Sequence, residues 1–151
     1  MTLRPGDVLL YRPKGVFGWI IRLKTWHPIA HVEIYLGNQQ SAASRDGVGV
    51  GLYPLRLEGL AHVVRPKLPF DAAKALAFTE GMKGTPYGWL DLLNFGSISI
   101  DTKGIVCSPF VTLLLRDNGI PVFGDEPANL VAPFQFLTSE LLSDVTQQVL
   151  V

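Results

Sequence analysis

The chain has 151 residues, 48% of them hydrophobic and 17% charged, with 13 basic and 13 acidic residues and one cysteine. That balance fits a single globular domain over residues 1–151 and excludes a disordered chain, and zero net charge argues against a nucleic-acid partner, which calls for a basic excess. One cysteine excludes an internal disulfide and a multi-cysteine zinc site.

In chain order, "RPGDVLLYR" (residues 4–12) reads as a Pro-Gly turn followed by a short strand. Its charges at Arg4, Asp7 and Arg12 interrupt the apolar stretch that a signal peptide needs, so the expectation is a chain without an export signal, cytoplasmic or delivered by another route. "GVFGWIIRLKTWH" (15–27) reads as a short helix or an irregular apolar loop. "AHVEIYLGN" (30–38) is the clearest strand. Its alternation puts His31, Glu33 and Tyr35 on one face and Val32, Ile34 and Leu36 on the other. Gly37-Asn38 supplies a turn into "QQSAAS" (39–44), a hairpin partner. "GVGVGLYPL" (47–55) and "AHVVRPK" (61–67) read as further strands. "DGVGVG" (46–51) has the look of a nucleotide-binding glycine loop, but that motif opens a helix, and here "LYPLRL" follows; the segment reads as a turn and a strand.

The texture then changes. "DAAKALAFTEGMKG" (71–84) predicts a helix with Asp71 as N-cap and Gly84 near its end. "PYGWLDLLNF" (86–95) predicts a second with Pro86 in its first turn, and "CSPFVTLLLRDNG" (107–119) a third, stopped by Asn118-Gly119. Strands first and helices later is an α+β pattern: an antiparallel sheet packed against helices. The Pro-rich C-terminal third shows no clear period. The longest uncharged apolar run, Gly104–Leu115, is far short of the roughly 20 residues that span a bilayer, so no transmembrane segment is expected.

Cys107 opens the third helix. A lone cysteine is commonly a small buried hydrophobe. At a helix N-terminus, however, the dipole favours thiolate, and the first-turn N–H groups, which lack intrahelical acceptors, can stabilise an oxyanion. Such a thiol needs a base, and His31 on the polar face of its strand is a candidate. In a metal set of His27, His31, His62 and Cys107 only His27 and His31 have a tight ligand spacing, and those two straddle the Pro28 loop and the strand; His27 reads as a loop residue, and His62 sits in a strand where a structural role suffices.

Taken together, "RPGDVLLYR", "HPIAHVEIYLGN" and "GTPYGWLDLL" followed by "IVCSPFV" resemble, in that order, the circularly permuted members of the NlpC superfamily of papain-like cysteine amidases and peptidases, the YiiX/YaeF-like group. The resemblance spans most of residues 4–116, with the histidine ahead of the cysteine as in the permuted group. It implies a permuted papain-like fold in which Cys107 is the nucleophile and His31 the general base and acid. The third family residue, which orients the imidazole, falls on Ala43, a departure. Glu33, on the face of His31, is the first substitute, with Ser41 and Ser44 as others; an exposed strand carboxylate is the alternative reading of Glu33. Tyr87 matches a family tyrosine near the nucleophile, Tyr11 is a weaker counterpart, and both are candidate substrate-binding residues. The implied activity is amide hydrolysis without a cofactor or metal, on a small peptide or amide such as a bacterial cell-wall peptide. Two alternatives stand beside it. One is an acyltransferase or esterase of the lecithin-retinol-acyltransferase-like type, with Val16, Phe17, Trp19, Ile20 and Ile21 lining an apolar trough. The other is an inactive binding module.

Overall fold

A computed structural model of the chain describes residues 2–12, 28–45, 48–84 and 107–150. Six strands form one antiparallel sheet: β1 (Val8–Tyr11), β2 (His31–Gly37), β3 (Gln40–Arg45), β4 (Gly49–Pro54), β5 (Leu60–Pro66) and β6 (Leu142–Asp144). Their spatial order is β4-β3-β2-β1-β5-β6, so the first strand of the chain lies in the interior of the sheet, between β2 and β5. Three helices pack on this sheet: α1 (Ala72–Met82), α2 (Cys107–Asp117) and the single turn α3 (Thr146–Val149). The chain is an α+β protein, as the change of texture predicts. The proposed helix over 86–95 and the apolar segment 15–27 lie outside the described residues.

Alternation along the central strands sorts the core into two layers. Val8, Leu10, Val32, Ile34, Ala42, Val50 and Val64 join Phe110, Val111, Leu114 and Leu115 of α2 in the larger one. Leu9, Tyr11, Tyr35, Val63 and Val145 form the smaller one on the opposite face, where Val149 of α3 covers them. Each fully buried Leu or Phe of the larger layer contributes roughly 1.5–3 kcal/mol.

The turns follow from local chemistry. Gly6 has φ +97°, and a Cβ there would meet the Phe70 ring at 2.7 Å, so only glycine fits. Asp7, fully buried, accepts the Arg4 N–H at 2.8 Å and both Nε and a terminal nitrogen of Arg65, at 2.7 and 2.8 Å; this clamps the start of β1 to β5. The β2–β3 hairpin turns at Asn38 and Gln39, one position later than the Gly-Asn reading suggests. Both have positive φ, +52° and +58°, the pairing that a tight two-residue turn requires. Asp71 caps α1 by accepting the Lys74 N–H at 3.0 Å, and Asn118, just past α2, exchanges two hydrogen bonds with the Asp71 backbone at 2.8 and 2.9 Å. The segment read as a turn and strand rather than a nucleotide loop is a turn at Val48 followed by β4; Asp46 and Gly47 lie outside the described residues. The aperiodic C-terminal third contains two short 3-10 turns, Ala128–Leu130 and Pro133–Leu137, ahead of β6. Among the described residues, no helix is long and apolar enough to cross a membrane.

Candidate active site

The site is built where β2 begins and α2 begins. Cys107 is the first residue of α2 and is fully buried. His31 is the first residue of β2, its side chain 20% exposed. The rest of the His31 face of β2 turns away from α2. At the strand's start, however, the imidazole is a hydrogen-bond and charge partner of the Cys107 side chain. The thiol also lies 3.9 Å from the Ser108 hydroxyl. Two residues far apart in sequence thus share one small volume, the cysteine at the first turn of an 11-residue helix, where backbone N–H groups lack intrahelical acceptors.

Glu33 lies two residues along β2 with its side chain fully buried, so it is not the exposed strand carboxylate of the alternative reading. Its Oε1 is 2.9 Å from His31 Nε2 and accepts Arg45 Nε at 2.8 Å. Its Oε2 accepts the Ser41 hydroxyl at 2.5 Å and a terminal Arg45 nitrogen at 3.2 Å. Burial alone would raise the Glu33 carboxyl. Hydrogen bonds from His31, Arg45 and Ser41, with the charge of His31, outweigh burial and hold it at about 2. His31 is pulled the other way: burial would lower it, but the Cys107 side chain first and Glu33 second lift it to about 9. The imidazole is therefore charged through neutrality, between a carboxylate on one side and the sulfur on the other.

The strand register explains how Glu33 fits. Ile34 pairs with Ala42 and Tyr35 with Ser41, so Glu33 lies beside Ala43. At the position where the resembled family carries its orienting residue there is only a methyl group, and the neighbouring strand supplies the carboxylate. Ser41 joins it from the same face of β3, whereas alternation turns Ser44 to the other face.

Tyr11, opposite His31 in the β1–β2 register, is buried, with ring centroids 5.8 Å apart. Its hydroxyl donates to the Arg56 carbonyl at 2.9 Å, and the Arg56 guanidinium sits 4.8 Å from the centre of its ring. Burial first, then the charge of Glu33, push its phenol upward. Tyr11 thus walls the imidazole, with its hydroxyl bonded to backbone. Tyr87 lies outside the described residues, as do His27 and the apolar residues 16–21. His62 lies within β5, as its strand pattern implies.

Arg45 is the residue that reading the sequence passed over. The signal was present: Ser41, Ala43 and Arg45 share one face of β3, and the hairpin with β2 sets that face beside His31 and Glu33.

Fold and site together define an α+β protein that places a helix-opening cysteine against a carboxylate-backed histidine. No protein-family model matches the chain, and no curated protein matches it.

Proposed function

We propose that the chain is a cysteine hydrolase, an amidase or peptidase of the permuted papain-like kind, acting on an amide bond in a small peptide; the resemblance points to bacterial cell-wall peptides. The observation that carries this reading is the pairing of Cys107, at the first turn of α2, with an imidazole that has a buried carboxylate behind it. In this mechanism the Cys107 sulfur attacks the amide carbonyl and a C–S bond forms. The carbonyl electron pair moves to oxygen, where the Cys107 backbone N–H and a second donor receive it. As the C–N bond breaks, His31 gives its proton to the departing amine. Neutral His31 then takes a proton from water, whose oxygen attacks the thioester. The C–S bond breaks with its electron pair returning to sulfur, the acid departs, and His31 is left protonated, as it began. Glu33 keeps Nε2 fixed and favours the charged imidazole throughout. None of these steps calls for a cofactor.

Mass spectrometry tests the reading directly. Iodoacetamide at pH 7 is expected to label Cys107 in the native protein, and to label the His31→Ala variant more slowly. Incubation with cell-wall peptide fragments is expected to release amine, while a phospholipid substrate releasing fatty acid instead would select the acyltransferase or esterase reading. Cys107 that reacts only after unfolding, indifferent to His31, refutes the nucleophile and leaves it as core packing under α2.

A further inference from the structure

Arg45 combines three features that a surface strand residue does not need. Its guanidinium takes both oxygens of a fully buried carboxylate, through Nε at 2.8 Å and a terminal nitrogen at 3.2 Å. It lies 4.3 Å from the centre of the Tyr53 ring, and the Tyr53 hydroxyl is itself anchored on the Gly49 carbonyl at 2.6 Å. It shares Glu33 Oε1 with His31, so the two cations meet on one oxygen. A planar fork on a carboxylate fixes both position and rotation, which a point charge does not.

We infer that Arg45 is a positioning residue for the Cys107–His31 pair: locked against Tyr53, it keeps the Glu33 carboxylate ionised and rotated so that Oε1 faces His31 Nε2. The inference deepens the hydrolase reading and rests on it for its catalytic meaning. The geometric half stands apart: Arg45 orders Glu33 whatever Cys107 does.

The surroundings of Glu33 make the argument specific. From its own strand it faces His31. From β3 it faces Ser41 and Arg45. Its charge also bears on Tyr53 of β4 and on Tyr11 of β1, which in turn feels Arg56; Cys107 acts on it through His31. Of these, Arg45 is the only permanent cation bonded directly to the carboxylate, and Ser41 offers a single hydroxyl. Without Arg45, burial is opposed by His31 and Ser41 alone, and a single bond to each oxygen is left to hold the carboxylate's rotation.

The test compares Arg45→Met and Arg45→Lys with the parent chain. Carbon-detected NMR follows the Glu33 carboxyl through an acid titration, thermal melting at pH 7 checks folding, and acetyl transfer from p-nitrophenyl acetate to Cys107 is timed across pH. Losing charge-assisted hydrogen bonds is expected to move the Glu33 midpoint up by roughly one to two pH units in Arg45→Met, and by less in the same direction in Arg45→Lys, which keeps charge but loses the fork. The acid limb of acetyl transfer is expected to follow the same displacement, with the maximal rate falling more than the half-saturating concentration rises. If Arg45→Met does not fold, Arg45→Lys decides alone. A Glu33 midpoint unchanged in a folded variant overturns the inference, as does an acid limb that stays in place while melting temperature drops. If the midpoint moves but Cys107 in the parent chain takes no acetyl group, Arg45 still positions Glu33, and the hydrolase reading fails on its own.

Discussion

Removing the sulfur should discharge the histidine. His31 is lifted from an ordinary 6.5 to about 9, and the Cys107 side chain is the foremost contributor to that rise, ahead of Glu33. At about 1.36 kcal/mol per pH unit, the site favours the charged imidazole by roughly 3 kcal/mol over the unfolded chain. Because the folded value is the higher one, this stability is fully present below pH 6.5 and is lost as pH rises through 9. In Cys107→Ala, burial, which lowers His31, is opposed by Glu33 alone. The midpoint should therefore fall by more than about one pH unit, and the window of alkaline stability loss should shift down with it. The assay is a proton–carbon NMR titration of the three histidine Cε1–H signals, with His31→Gln to assign the resonance, beside melting temperatures from pH 6 to 10. A His31 midpoint that is the same with and without the sulfur, or one already near 6.5 in the parent chain, would refute the reasoning that charge couples these two residues.

Two further perturbations bear on the frame of the site. Glu33→Gln leaves Arg45 facing a neutral amide and puts one amide donor against donors. Breaking a buried pair this way costs on the order of 3–5 kcal/mol, a melting temperature lower by roughly 6–20 °C at neutral pH. In the parent chain the Glu33 contribution is present above pH 4.5 and lost as pH falls through about 2; the variant's melting curve should lack that component, and an identical acid profile would count against the ionised carboxylate. Gly6→Ala meets both a positive φ and a ring atom at 2.7 Å. It should cost roughly 2–4 kcal/mol, read by denaturant unfolding; a neutral result would mean that Phe70 moves aside freely.

Much of the frame is legible in the chain because it depends on local rules. The alternation of residues 31–36, the tight hairpin after them, the Asp71 cap and the Asn118-Gly119 stop each need only a few neighbours, and each is present in the fold. What is not legible is set by distant pairing. Nothing in "GDVLLYRP" says that its strand sits between β2 and β5 rather than at an edge. A three-residue strand such as Leu142–Asp144 is too short to show a period. The same division holds at the site. Alternation puts Glu33 on the face of His31, but its burial depends on Arg45 and Ser41 arriving from β3 and on the methyl of Ala43 leaving room. For Tyr11 the resemblance offers only a candidate substrate-binding residue; its place against His31 depends on the pairing of β1 with β2, and the bond of its hydroxyl to the Arg56 carbonyl on the loop after β4.

The place of β1 inside the sheet has a consequence for how the molecule comes into being. β2, β3 and β4 follow one another closely in the chain and pair as neighbours, carrying His31, Glu33, Ser41 and Arg45 into register together. β1 meets β2 across an intervening segment, and its other edge waits for β5, a closure with a larger entropic cost. Cys107 lies further along the chain, on a helix that packs on the apolar face of Val8, Val32 and Ile34. The His31–Glu33 half of the site is thus built on a local hairpin, and Cys107 joins it from an element distant in the chain. The pairing of the sulfur with His31 needs the hairpin and the helix packed on the sheet at once, so it reports on the long-range packing of the chain and not on the hairpin alone.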